Sequence, residues 1–380
     1  MTTRAEQAWS VRMADSVMQQ HPTLSENWTY EWGLVLKAIL EVWQHTGNAV
    51  YFDYVKRNVD GFIAPDGSIR TYRLEEYNLD HINPGKVLFP LYYATGDERY
   101  KRAAFLLREQ LRTHPRTSEG GFWHKQIYPR QMWLDGLYMA DPFYAEFAGA
   151  FHEPAIFEDV ARQIALIVAH TRDPETCLYY HGWDESRQQR WAHPETGRSP
   201  HVRGRGMGWF AMALPDVLDH FPVSHPQYGT ITAILGRLAS AVAAVQDPDS
   251  GVWYQVLDQA DTPGNYLEAS ASCMFVYAFA KGLRRGYIST VYRDVLLKGY
   301  EGILARFVTV DERGLVSLSG ICRVAGLGGT PYRDGSFTYY VSEAVVVNDY
   351  KGIGPFILAS AEVERLASSL PPQGAAFYAG

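Results

Sequence analysis

Residues 131–144, QMWLDGLYMADPFY, decide how the rest of the chain is read. Met132, Trp133, Leu134, Leu137, Tyr138 and Met139 make the stretch apolar nearly all round, the pattern of a helix enclosed by other elements. Asp135 sits inside it, with no Lys or Arg three or four residues to either side. A lone buried carboxylate is costly unless it is paired, hydrogen-bonded or protonated. Two readings stand: an ion pair with an Arg from another loop, or a carboxyl group kept protonated for chemistry.

Five other segments share this all-round apolar character: NWTYEWGLVLKAIL, NPGKVLFPLYYATG, GRGMGWFAMALPDVL, YLEASASCMFVYAFAKG and YYVSEAVVVNDYKGIGPFILAS. With the first they make six, spaced by roughly 50–70 residues. Between them lie amphipathic stretches such as AVYFDYVKRNVDGF, ERYKRAAFLLREQLRT, PAIFEDVARQIALIVAHT and STVYRDVLLKGYEGILARF, whose apolar residues recur at three and four. Strand signals are few; GVWYQVLD and GLVSLSGI are the best. Six apolar helices alternating with amphipathic ones predict two concentric rings, an all-α (α/α)6 barrel in a single domain spanning 1–380. An irregular helical bundle or solenoid is the competing architecture. In a closed ring the inner helices run parallel, so their N-termini open at one mouth.

The totals agree with a large core. Hydrophobic residues are 47% and charged residues 20% of 380. The net charge of -7 offers no footprint for nucleic acid or an anionic membrane. No apolar run is long enough to span a bilayer, and the N-terminal MTTRAEQAWSVRMADSVMQQ lacks the apolar core of a secretory signal. Cys177, Cys273 and Cys322 are scattered and odd in number, which fits neither a disulfide framework nor a zinc site. A cytoplasmic protein is expected. The aromatic content of 14%, with 25 Tyr and 10 Trp, suits either a large core or a sugar-binding cleft.

The polar exceptions gather near the starts of the apolar helices. Asp80, with His81, precedes the second. His124 and Lys125 lie in the loop before Asp135, which follows the helix-starting Pro129 too deeply to be a simple cap. His181 and Asp184 occupy the next long loop. Arg203, Arg205 and Trp209 open the fourth apolar helix, and Arg333 and Asp334 precede the sixth. Each has a plainer reading: Asp80 as an N-cap, the histidines as satisfied loop residues, Arg205 with Trp209 as a packed cation–π pair. Together they suit general acid/base work on a sugar by two carboxyl groups. Burial in an apolar helix raises a carboxyl pKa, so Asp135 is expected to be the protonated acid.

The segments QMWLDGLYMADPFYAEF, RGMGWFAMALPDVLD, RVAGLGGTPYRDGSFTYYVSE and VVNDYKGIGPFILAS resemble the unsaturated rhamnogalacturonyl hydrolases, glycoside hydrolase family 105, and the similarity runs from about residue 10 to 365. The resemblance implies an (α/α)6 barrel and an oligosaccharide substrate bearing a 4,5-unsaturated uronic acid at its non-reducing end. It implies hydration of the C4=C5 double bond: an acid protonates C4, water adds at C5, and the hemiketal opens to release the neighbouring sugar. Carried over by motif, Asp135 is the acid/base and Asp80 the second essential carboxylate. His181, Arg205 and Trp209 fall on substrate-contacting positions, with His124 and Lys125 expected beside them. Arg205 suits a uronate carboxylate through its planar fork, Trp133 and Trp209 offer stacking faces, and Arg333 is a further candidate contact. The nearest alternative is an unsaturated glucuronyl hydrolase acting on other lyase products. A sugar epimerase relying on histidines and a non-catalytic sugar-binding barrel are the readings from other classes.

Overall fold

The computed structural model describes residues 7–369. The reading of residues 1–6 within the N-terminal stretch lies outside them. In chain order the α-helices are α1 Trp9–Gln20, α2 Tyr30–Thr46, α3 Ala49–Asp60, α4 Leu88–Thr95, α5 Glu98–Thr113, α6 Leu134–Ala150, α7 Ala155–Thr171, α8 Gly204–Leu218, α9 Tyr228–Ala244, α10 Ala269–Arg285, α11 Arg293–Phe307, α12 Phe337–Ser342 and α13 Tyr350–Ser369. Six short strands pair in antiparallel twos: β1 Gln131–Trp133 with β2 Gly182–Asp184, β3 Val308–Val310 with β4 Val316–Leu318, and β5 Ile321–Cys322 with β6 Val345–Val346.

Six helices form a closed inner ring. Helix α2 packs on the 3-10 turn Asn83–Val87 that leads into α4, that turn on α6, α6 on α8, α8 on α10, α10 on α13, and α13 back on α2. The all-round apolar pattern has this cause. Helix α8 is buried at all 15 of its positions because neighbours cover every face. The outer helices α1, α3, α5, α7, α9 and α11 each bury one stripe. In α5 it is Tyr100, Ala103, Ala104, Leu107 and Leu111, the three-and-four spacing of a half-wet helix. This is the predicted (α/α)6 barrel. One hydrophobic cluster runs from Met13 in α1 to Leu366 in α13, so the first and last helices share a core with the middle of the chain.

Three local readings differ. The sixth inner helix starts at Tyr350 rather than near Tyr339, because the β-branched pair Val345–Val346 forms strand β6 and Asn348, at φ 58, breaks the chain direction. GVWYQVLD forms only isolated bridges, Tyr254 to Leu267 and Val256 to Arg203, where GLVSLSGI does supply β4. The helix carrying Asp135 begins at Leu134, five residues after Pro129, since residues 131–133 pair with 182–184 as strand β1. Asp135 is therefore a first-turn residue, and its depth after Pro129 does not exclude a terminal role. Among the described residues no helix is long and apolar enough to cross a membrane.

Candidate active site

The β1–β2 ladder explains why Asp135 and His181 meet. Trp133 pairs with Gly182, and the Leu134 amide donates to the His181 carbonyl at 3.0 Å. That register sets the His181 ring beside the first turn of α6. His181 Nε2–H donates to Asp135 Oδ2 at 3.0 Å, and the Tyr340 hydroxyl, from α12, donates to His181 Nδ1 at 2.8 Å. This tautomer satisfies both ring nitrogens. Arg203, the N-cap residue of α8, places Nη1 3.4 Å from Asp135 Oδ1. Gly206 permits the approach of α8, since a Cβ there would sit 3.1 Å from His181 Cδ2 and 3.6 Å from Asp135 Oδ2.

This wiring corrects the expected protonation of Asp135. Burial does push its carboxyl up, but the His181 contact, Arg203 and His124 outweigh it and hold the group below the usual carboxylate range. The Arg from another loop, Arg203, supplies the charge that the helix itself lacks. Asp135 rests as a carboxylate.

Asp80 sits in the 3-10 turn Leu79–His81, its amide held by the Asn78 side chain. The segment around His124 is laced between this turn and β1: Leu79 N donates to His124 O, and His124 N to Gln131 O. Lys125 is thereby aimed at Asp80, Nζ to Oδ2 2.5 Å, while His124 Nε2 faces Oδ1 at 3.7 Å. Burial pushes the Asp80 carboxyl up, and Lys125 and His124 bring it below its ordinary value. The charge of Asp135 acts on Asp80 in the opposite sense, so the two carboxylates share one electrostatic site. Burial pushes His124 down to about 4, so it is neutral near neutral pH.

The remaining predicted residues divide. Trp133 is 5% exposed and stacks with His124 at 4.5 Å and with Tyr128 at 4.8 Å, which makes it a wall of the site rather than an open platform. Arg333 donates to Gly328 O, Leu327 O and the Tyr128 hydroxyl, pinning the loop 326–333 to that wall. Arg205 and Trp209 are both buried in α8. The Arg205 guanidinium is buried and spent on Cys322 O, Arg323 O and Ser270 Oγ. Trp209 is 1% exposed, stacks on Tyr138 at 5.0 Å and meets Tyr30 edge-on. In this structure neither offers a face to a substrate, because each is buried by the partners just named. Asp184 likewise turns away, accepting from the Ser186, Gln188 and Gln189 amides to shape its own loop. Two partners were not among the predicted site residues: Arg203, which the sequence places at the start of α8, and Tyr340, which lies within the quoted motif GSFTYYVSE.

Among the described residues no three His, Cys, Asp or Glu side chains are grouped to hold a metal ion. A cavity of about 330 Å³ lies toward the C-terminal ends of the inner helices, away from Asp135, with Lys37, Glu146, Asp216, Lys281 and Glu362 among its lining. Most of these charges pair with one another, as Lys281 does with Asp216 and Asp219. The groups suited to acid/base chemistry on a sugar converge at the opposite mouth.

Comparison with known proteins gives a consistent answer. The model of Glycosyl Hydrolase Family 88 matches residues 9–367. A glycoside hydrolase of family 105 from Clostridium acetobutylicum ATCC 824 is 46% identical, with a TM-score of 0.93, over 94% of this chain and 100% of that one. The unsaturated rhamnogalacturonyl hydrolase YesR of Bacillus subtilis is 30% identical over 309 residues, 80% of this chain and 82% of its own length. Protein Atu3128 of Agrobacterium fabrum is 41% identical over 235 residues, 60% of this chain and its own full length.

Proposed function

This chain belongs to Glycosyl Hydrolase Family 88, and from that premise we propose that it releases 4,5-unsaturated galacturonic acid from the non-reducing end of rhamnogalacturonan oligosaccharides by hydrating the C4=C5 bond. The enzyme is a glycosidase, and hydrolysis of unsaturated uronides is the class its relatives support. The rhamnogalacturonan substrate rests on the likeness to YesR. The observation that carries the reading is the pair of carboxylates at one mouth, each held by a cation: Asp135 by Arg203, with the His181 N–H beside it, and Asp80 by Lys125.

In the proposed reaction Asp135 delivers a proton to C4 of the enol ether. Positive charge develops at C5 and the ring oxygen, where the Asp80 carboxylate stabilises it. Asp135, ionised again, takes a proton from the water that adds at C5. The hemiketal opens and the neighbouring sugar leaves. The resting carboxylate acquires its proton through the substrate's own charge. A uronate seated near Arg203 shares the positive charge that holds Asp135 ionised, and a like charge beside a carboxyl raises its pKa. No metal or organic cofactor is invoked, and the partner proposed is the unsaturated oligosaccharide. The thiols of Cys177, Cys273 and Cys322 are free, which suits a reducing compartment and extends the proposal to the cytoplasm.

A substrate panel tests this reading. Unsaturated galacturonate linked to rhamnose is compared with unsaturated glucuronides, following the ultraviolet absorbance of the conjugated double bond. A higher kcat/KM on the rhamnose-linked compound supports the reading, and the reverse order contradicts the assigned aglycone.

A further inference from the structure

Asp141 lies six residues beyond Asp135 on α6 and is 1% exposed. Its Oδ2 has no hydrogen-bond partner within the protein, and neither has Nδ1 of His124, which is 3% exposed. Both residues line one cavity of about 10 Å³, walled also by Leu79, Met132 and Gln163. That volume takes a single water molecule, and two orphaned polar atoms supply the partners such a water needs. The cavity exists because Gly136 lies between: a Cβ there would stand 3.2 Å from His124 Nδ1 and 3.1 Å from Leu79 Cδ1.

We propose that Asp141 is a positioning residue for the active site, acting through one buried water to fix the tautomer of His124 and so the N–H that His124 presents to Asp80. The inference rests on the reading of Asp80 as a site carboxylate. A neutral imidazole carries one N–H, and the Asp80 carboxylate lies on the Nε2 side at 3.7 Å. With the proton on Nε2, His124 donates toward Asp80, and Nδ1 must then accept. The water supplies the donor for that second bond, and Asp141, donating to the water, keeps a water O–H turned toward Nδ1. Burial, with Asp159 nearby, pushes its carboxyl well above the usual range against Lys86 and Arg116, so it carries a proton to give. With the proton on Nδ1 instead, the Nε2 lone pair confronts the Asp80 carboxylate, which is repulsive. The chain of contacts is thus Asp141, water, His124, Asp80 and Lys125. It reaches the site from inside the barrel wall, from a carboxyl group that touches no substrate.

The test uses Asp141→Leu and Asp141→Asn in the full chain, reading the His124 ring by nitrogen-15 NMR together with kcat and KM. An amide N–H replaces the acid O–H as donor, so Asp141→Asn is expected to keep the Nε2–H tautomer and to hold kcat within about threefold of wild type. Asp141→Leu removes the donor; the His124 nitrogen signals shift toward a tautomer mixture, and kcat falls on the order of tenfold with KM little changed. Unchanged His124 signals in Asp141→Leu overturn the proposal, as does a tautomer change in Asp141→Asn equal to that in Asp141→Leu. If Asp141→Leu does not fold, the Asp141→Asn spectrum decides alone: retention of Nε2–H supports the proposal and its loss contradicts it. The NMR signature does not require turnover, so failure of the assigned reaction is told apart from failure of this inference.

Discussion

His181 Nε2 and Asp135 Oδ2 stand 3.0 Å apart, and the Tyr340 hydroxyl closes the chain on the far side of the imidazole at 2.8 Å. The ring is buried and has no other donor at Nδ1 among the described hydrogen bonds. Tyr340→Phe keeps the packing and removes that donor, which frees His181 to flip its tautomer. We expect kcat to fall on the order of tenfold, the scale on which orienting partners of reactive side chains act, with KM and the circular dichroism spectrum little changed.

Lys125 keeps Asp80 ionised against its burial. In Lys125→Met the upward push of burial loses its strongest opponent, so the Asp80 pKa rises. The acid limb of the kcat/KM profile then moves to higher pH, by roughly 1–3 units, and activity is lost as pH falls through that higher value. Lys125→Arg keeps the charge and is expected to keep the limb near its original place. The profile measured for the three proteins checks the sign.

Arg203 and Arg205 are two residues apart and do different work. Arg205 holds the Cys322 and Arg323 carbonyls in the barrel wall. Arg205→Met leaves those acceptors buried, at about 1–3 kcal/mol each, so the melting temperature drops by several degrees while KM of the folded enzyme changes little. Arg203→Met removes the cation beside Asp135 and is expected to lower kcat/KM by at least about tenfold, as loss of a charge-assisted contact at a reacting group does. Thermal melts and kinetics on both variants separate the roles.

At the other end of the ring, burial lifts the Glu146 carboxyl from its ordinary value of 4.5 to about 8. The folded protein holds this proton to about pH 8, whereas the unfolded chain releases it near 4.5. Folding therefore takes up a proton within that window, and the Glu146 contribution to stability falls as pH rises through it. Glu146→Gln removes this slope. Denaturant midpoints at the two ends of the window are expected to show the variant gaining on wild type at the alkaline end.

The inner ring was legible because each inner helix is enclosed, and enclosure leaves an all-round apolar pattern in residues such as Leu134, Tyr138 and Met139. The amphipathic α5 and α7 were legible for the complementary reason. What the sequence could not show was pairing at long range. Met132 and Trp133 fit a buried helix or a buried strand equally, and only the partner segment 182–184 makes them β1. The same limit hid the partner of Asp135. HVRGRGMGWF offers two arginines, and the choice follows from Arg203 having extended N-cap dihedrals while Arg205 is already helical and bonded to the Cys322 and Arg323 carbonyls. That Asp80, Lys125, Asp135 and His181 would gather on one rim was legible from their spacing from the helix starts. Asp141 gave no such signal, since an acid among apolar residues in mid-helix does not reveal which cavity it faces.

The central claim is that Asp135 protonates the double bond of an unsaturated uronide. The most direct measurement follows the ultraviolet absorbance of unsaturated rhamnogalacturonan disaccharide with wild type and with Asp135→Asn, matched for folding by their melting curves. We predict steady loss of absorbance with the wild type and none above background with Asp135→Asn. Equal loss with both proteins contradicts the role given to Asp135, and release of the neighbouring sugar without loss of absorbance contradicts the hydration chemistry itself.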